Sequence, residues 1–165
     1  MKSNIPGVMI WEQPVLKDER GYLVELFRKD MLEAEHLPAM AYVSATLPGI
    51  MRGPHLHDSQ TDLFIFQGNF RLYLIDENEI YGTIPIPGSP YGEYLDITCD
   101  QSYRTAVLVP PGIVHAYKNT GDEVGLVFNA PNRLYAGTGK RYAVDEERLE
   151  KDESFMKIFN NVFGL

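Results

Sequence analysis

Residues 49–68 read GIMRGPHLHDSQTDLFIFQG, and the fold turns on how this stretch divides. Side chains alternate between the two faces of a strand, so His55 and His57 share one face and Leu56 takes the other. Two imidazoles therefore stand on one wall. A polar break over Asp58–Thr61 separates them from Asp62-Leu63-Phe64-Ile65-Phe66, which has the composition of a second strand, and Gly68 marks the turn that follows. Further on, Pro110-Pro111-Gly112 is a turn, and the strand leaving it carries His115, so three of the four histidines fall in these two segments.

The two segments resemble the paired motifs of the cupin superfamily. Gly49, five residues, His55, one residue, His57, four residues, Asp62, five residues and Gly68 is similar to the first motif, which has Glu at the Asp position and one more residue before its last glycine. Pro110-x-Gly112-x-x-His115-x-x-x-Asn119 is similar to the second. The resemblance implies an all-β double-stranded β-helix, or jelly-roll barrel, with a few short helices, and both motifs at its mouth.

Working back toward the start, Val8–Leu16 and Tyr22–Arg28 read as two strands around the polar turn Lys17–Gly21. On the second, Leu23, Glu25 and Phe27 share a face, which sets a carboxylate among apolar neighbours. It is either a solvated edge group or one turned into a cavity. The run DERGYLVELFR, residues 18–28, resembles the DxRGxFxE opening of the dTDP-4-dehydrorhamnose 3,5-epimerase family, a branch of the cupins, whose following RGxH is matched by Arg52-Gly53-Pro54-His55, with Ser44 and Gly49 at family-like spacings. The similarity covers roughly residues 8–135.

This resemblance implies an epimerase or isomerase of a 4-keto nucleotide-linked deoxysugar in surface-polysaccharide or deoxysugar biosynthesis, with no cofactor. It makes His55 the base and Tyr135 the acid on the opposite face of the sugar. It gives Arg20 and Arg52 to the diphosphate and Glu25 to the nucleotide, with Gln60 and His115 among the substrate-binding residues. Asp145 is the candidate for the aspartate that orients the base, and a homodimer joined through edge strands is expected. Two positions depart from the pattern. His57 stands where the family has Gln, and Asp62 where it has the Lys that stabilises the enolate. An anion there opposes a developing enolate, whose electrostatic stabilisation is often the largest catalytic contribution.

The same residues admit other chemistry. His55, His57, Asp62 and His115 offer three nitrogens and a carboxylate, a set suited to zinc, iron, manganese or nickel with a position left open. A divalent metal enzyme is thus the alternative, and a catalytically silent sugar-binding cupin is a third reading.

At 165 residues the chain fits one domain, 1–165, in which 136–165 forms a partly helical C-terminal extension around Phe155–Phe159. It is 44% hydrophobic, 12% aromatic and 23% charged, an ordinary globular composition whose aromatic excess favours strands. The single cysteine, Cys99, forbids an internal disulfide and is expected buried in a reducing compartment. There is no membrane-length apolar run and no leader-like start, and the expected location is the cytoplasm. A net charge of -8 without a basic stripe argues against nucleic acid and anionic membranes. Asp30–Leu37 is expected to be a short helix ended by Pro38, with His36 on the surface. Tyr81–Tyr94, rich in Gly and Pro, reads as a loop packed down by Tyr81, Tyr91 and Tyr94.

Overall fold

The computed structural model describes residues 3–76, 92–98 and 105–165. Among these residues the strands are β1 (Met9–Glu12), β2 (Val15–Asp18), β3 (Gly21–Val24), β4 (Tyr42–Thr46), β5 (Met51–Leu56), β6 (Asp62–Gln67), β7 (Asn69–Asp76), β8 (Gly92–Thr98), β9 (Thr105–Val109), β10 (Ile113–Asn119), β11 (Gly125–Asn129) and β12 (Glu147–Arg148), followed by an α-helix, α1 (Glu153–Phe163). One sheet runs β1-β9-β6-β11-β4 and the other β12-β5-β10-β7-β8, with every pairing antiparallel. The two five-stranded sheets form the expected jelly-roll barrel.

Both faces of the central strands are covered, which explains apolar runs such as LFIF and AVLV where a half-exposed strand would alternate with polar residues. Phe64, Phe66, Phe70, Leu72, Leu74, Val107, Val109, Ile113, Tyr117 and Val127 fill the interior between the sheets. The alternate positions point outward into two further clusters. Leu63, Ile65, Ala106 and Leu108 meet Ala130, Trp11 and Leu26 on one side. Leu56, Tyr73, Ile75, Val114 and Ala116 meet Leu149, Phe155 and Phe159 on the other. Helix α1 belongs to this outer layer. Asp152 caps it by accepting from the backbone N–H groups of Ser154 and Phe155. Its Phe159 is fully buried against Tyr73, and burial of such a side chain is worth about 1.5–3 kcal/mol.

The motif glycines and Asn119 serve the backbone. A Cβ at Gly53 would stand 2.7 Å from the His115 carbonyl oxygen, so only glycine permits this approach of β5 to β10. The register between these strands shifts between His115 and Tyr117, a bulge of the kind that re-aims side chains. Gly112, at φ 79°, turns its N–H onto the carbonyl of His57. The Asn119 side chain donates to the carbonyls of Thr46 and Glu123.

Several elements differ from expectation. Pro14 divides the first strand into β1 and β2. The hairpin partner β3 stops at Val24, and β2–β3 forms a separate two-stranded sheet. In place of a helix over Asp30–Leu37 there are two single 3₁₀ turns, Lys29–Met31 and Ala34–His36, since so short a segment does not repay the cost of helix nucleation. His36 is half-buried there, its Nδ1 3.3 Å from the Thr61 hydroxyl. Tyr94 lies within β8, whereas Tyr81, Tyr91 and Cys99 fall outside the described residues. No described helix is long and apolar enough to cross a membrane.

Candidate active site

A cavity of about 630 Å³ opens at one end of the barrel, and His55, His57, Gln60, Arg52, His115 and Tyr135 all line it. The sheets deliver the three imidazoles together. His55 on β5 pairs directly with His115 on β10, and their ring centroids are 6.2 Å apart. His57, just beyond β5, stands 5.4 Å from His115 by the same measure. Asp62 begins β6 on the face that carries Phe64 and Phe66 inward, and is 1% exposed.

The carboxylate of Asp62 is held asymmetrically. Its Oδ1 accepts from the Asn129 amide at 2.8 Å and the Gln60 amide at 3.1 Å. Among the described residues its Oδ2 finds no hydrogen-bond donor, and it lies 3.2 Å from Nε2 of His57 and 3.9 Å from Nε2 of His115. The other nitrogens of both rings face main-chain carbonyls, Nδ1 of His57 that of Asp145 and Nδ1 of His115 that of Ile113. A carbonyl only accepts, so each Nδ1 carries a proton, and a ring holding that proton alone presents a lone pair at Nε2. Burial pushes the His115 imidazole down to about 4, against the pull of Asp62, and keeps that ring neutral. The group His57, Asp62 and His115 has ligand atoms within 4.8 Å of one another, close enough that it could hold a metal ion.

His55 belongs to a different environment. Its Nδ1 is 3.8 Å from a carboxylate oxygen of Glu146 and its Nε2 3.7 Å from one of Glu150. Burial lowers its pKa below the ordinary imidazole value, while the two glutamates oppose the shift. Burial alone would raise the Glu146 carboxyl, yet the hydrogen bond from Arg148 and the charges of His55 and Arg148 hold it below its usual range. Asp145, expected beside His55, instead accepts from the backbone N–H groups of Asp58 and Ser59 and from the Ser59 hydroxyl. The carboxylates facing His55 come from its neighbour Glu146 and from Glu150. These two were missed because a two-residue strand such as β12 has no periodicity to read. Its pairing with β5, Arg148 opposite His55, is what brings them to the site.

Tyr135 is half-exposed at the cavity rim, its N–H against the Met40 sulfur. Tyr42, exposed to a similar degree, accepts at its hydroxyl from the Asn129 amide and is pushed up to about 12, chiefly by desolvation. Burial likewise raises Tyr117, which shares a 2.9 Å hydrogen bond with Ser44. Arg52 donates to the Thr46 hydroxyl and the Ala45 carbonyl, Arg133 to the Ser59 carbonyl. Two expected residues do not join the cavity of their own chain. Arg20 is 83% exposed on the β2–β3 turn and ion-paired with Asp18, and Glu25 is exposed and paired with Arg28 at 3.3 Å.

Comparison with known proteins places this geometry. Residues 2–150 match the family model of dTDP-4-dehydrorhamnose 3,5-epimerase. The chain is 33% identical over 151 residues to a protein of Haloferax volcanii named probable low-salt glycan biosynthesis epimerase Agl13, covering 90% of each. It is 29% identical over 119 residues to the spore coat polysaccharide biosynthesis protein SpsL of Bacillus subtilis, covering 72% of this chain and 74% of that one. Among solved structures, a dTDP sugar isomerase of Desulfovibrio desulfuricans superposes with a TM-score of 0.69 at 24% identity, over 92% of this chain and 88% of that one. The Streptomyces bikiniensis 3'-monoepimerase, solved with dTDP-quinovose, gives 0.66 at 22% identity, over 91% and 74%. These last two similarities establish the fold.

Proposed function

The chain belongs to the dTDP-4-dehydrorhamnose 3,5-epimerase family, and on that premise we propose that it epimerises or isomerises a 4-keto nucleotide-linked deoxysugar for surface-polysaccharide or glycan synthesis. The observation that carries this reading is the setting of His55, a partly buried imidazole on the cavity wall between Glu146 and Glu150. A base must be neutral to take a proton and must tolerate the charge it acquires. Burial favours the first, and two carboxylates within 4 Å favour the second.

In this mechanism His55 removes the proton next to the ketone, and the planar enolate is reprotonated from the other face by Tyr135, which comes from a different element of the cavity rim. Gln60 and Arg52 bind substrate directly, and His115 acts on it through Nε2, its Nδ1 being taken by the Ile113 carbonyl. Proton transfer through these side chains calls for no organic cofactor. The enzyme works in the cytoplasm as a homodimer. The apolar side chains on the isolated hairpin, Leu16 at 65% and Leu23 at 58% exposure, support pairing, since a lone two-stranded sheet is at best marginally stable in water. Dimerisation also offers Arg20 and Glu25 a cavity to serve.

The test is incorporation of solvent deuterium into a panel of 4-keto nucleotide sugars. Wild type is expected to label the carbon beside the ketone and His55→Asn to abolish labelling. Absence of labelling across the panel by folded protein that binds the sugars would overturn the reading in favour of a silent binding protein.

A further inference from the structure

We infer that His57, Asp62 and His115 bind one divalent first-row transition ion, with His55 outside the ligand set. The argument is a count of protons. Both rings donate from Nδ1 to main-chain carbonyls, so Nε2 of His57, Nε2 of His115 and Oδ2 of Asp62 are three acceptors turned on one another in a buried site. Among the described residues the Gln60 amide, 3.3 Å from Nε2 of His57, is the one donor that reaches these three atoms, and it leaves Oδ2 unserved. Buried polar atoms without partners are costly and rare in native proteins. One extra proton on His57 would satisfy the 3.2 Å pair and leave His115 facing Oδ2 at 3.9 Å with nothing between them. A metal ion satisfies all three atoms at once.

The surroundings fit. Two imidazoles and a carboxylate suit zinc, iron(II) or manganese. Donors each ~2.0–2.2 Å from such an ion stand roughly 3–3.6 Å apart; the two Asp62 pairs are at 3.2 and 3.9 Å and all three ligand atoms lie within 4.8 Å of one another, so closing on an ion asks for a shift of about an ångström in the His115 ring. The partners behind the ligands are those that orient metal ligands elsewhere, a backbone carbonyl on each Nδ1 and two amides on the far carboxylate oxygen. His55 is excluded by its own partners, Glu146 and Glu150.

The site stands on this geometry alone, but its role rests on the epimerase reading. The three arginines lining the cavity are engaged, Arg52 with Thr46 and Ala45, Arg133 with Ser59, and Arg148 with Glu146. Enolate formation needs positive charge at the carbonyl oxygen, and a divalent ion converts the Asp62 wall from anionic to cationic.

The experiment uses the full chain, purified without affinity tag or chelator for elemental analysis, then stripped and titrated with Co²⁺ while visible d–d absorption and thermal unfolding are followed. One metal per chain is expected, with ligand-field bands and a raised Tm. Asp62→Asn and His57→Gln should weaken cobalt binding by about 100-fold or more, beyond the 10–100-fold that outer partners are worth, while His55→Asn binds as wild type. Wild type without bands or Tm shift overturns the site even if a variant fails to fold. So does cobalt binding untouched by both ligand variants, which marks surface adsorption, and binding lost in His55→Asn overturns the three-ligand assignment. Deuterium exchange separates the two claims: exchange that survives metal removal overturns the ion's role and leaves the epimerase reading standing. Metal bound in wild type with no exchange leaves the site standing and overturns that reading.

Discussion

The carboxylate of Glu146 stands 3.8 Å from Nδ1 of His55, although more than half the length of the chain separates the two residues. With Glu150 on the other ring nitrogen, it would stabilise the imidazolium that the proposed mechanism forms at His55. Glu146→Gln and Glu150→Gln should each slow deuterium exchange roughly tenfold and together by about 100-fold or more, since one charge at this range in a partly wet site is worth a few kcal/mol at most. Unfolding midpoints close to wild type would confirm that the loss is one of chemistry. A double variant with wild-type exchange would remove the glutamates from the mechanism.

Tyr135→Phe separates the two proton transfers. It should leave labelling of recovered substrate within a fewfold of wild type and reduce formation of the inverted sugar by about 100-fold, the usual span for loss of a positioned acid. Equal loss of both would assign Tyr135 to binding.

Asp145 bonds two backbone N–H groups and a hydroxyl of the turn that leads from His57 to Asp62. Asp145→Ala should destabilise the protein by about 1–2 kcal/mol at neutral pH, as expected when a charged acceptor of turn donors is lost. The sign with pH follows from its folded-state pKa. Burial alone would raise it, but the Ser59 hydroxyl and the Asp58 and Ser59 N–H groups hold it below the ordinary carboxylate value, so its contribution is present above the unfolded pKa and fades as pH falls through the lower, folded one. Denaturant curves of variant and wild type should therefore converge in acid. A gap that widens there would contradict the assignment.

The hairpin prediction concerns assembly. Leu16→Asp with Leu23→Asp places charge on the two most exposed apolar side chains of β2 and β3 and should turn a dimer into a monomer by light scattering, with activity falling in step. If the monomer retains full activity, Arg20 and Glu25 have no part in a neighbouring cavity.

Phe159 packs on Tyr73 and Phe163 at ring separations of 5.7 and 4.9 Å. Phe159→Ala should cost about 3–5 kcal/mol, the usual range for a fully buried aromatic, measured by urea unfolding. A loss below about 1 kcal/mol would mean that α1 is dispensable to the fold.

The barrel was legible because the motif residues are backbone devices. Gly112 and Asn119 make turns and hydrogen bonds that a jelly roll requires at those points, and the spacing of His55, His57 and Asp62 follows from strand alternation. The histidine cluster was therefore readable before any coordinates. What it binds to was not, because that depends on distances: His57 and His115 converge on Asp62, while His55, on the same face in the sequence, is drawn to Glu146 and Glu150. The aspartate expected beside His55 was off by one position, Asp145 for Glu146, and in extended chain one position changes the face. Arg20 and Glu25 fit the family pattern, yet a pattern along one chain does not say whose cavity a projecting hairpin serves.

The edge of the β5 sheet is completed by β12, and β12 is held there by Leu149 and the phenylalanines of α1. During synthesis these are among the last parts of the described chain to leave the ribosome. A nascent barrel in which β5 and β10 have already paired displays His55 with neither glutamate beside it and with its rim open to solvent. The charge that lets His55 tolerate a proton thus reaches it only once the segment bearing Glu146 and Glu150 has been made and has docked on β5, long after His55 itself.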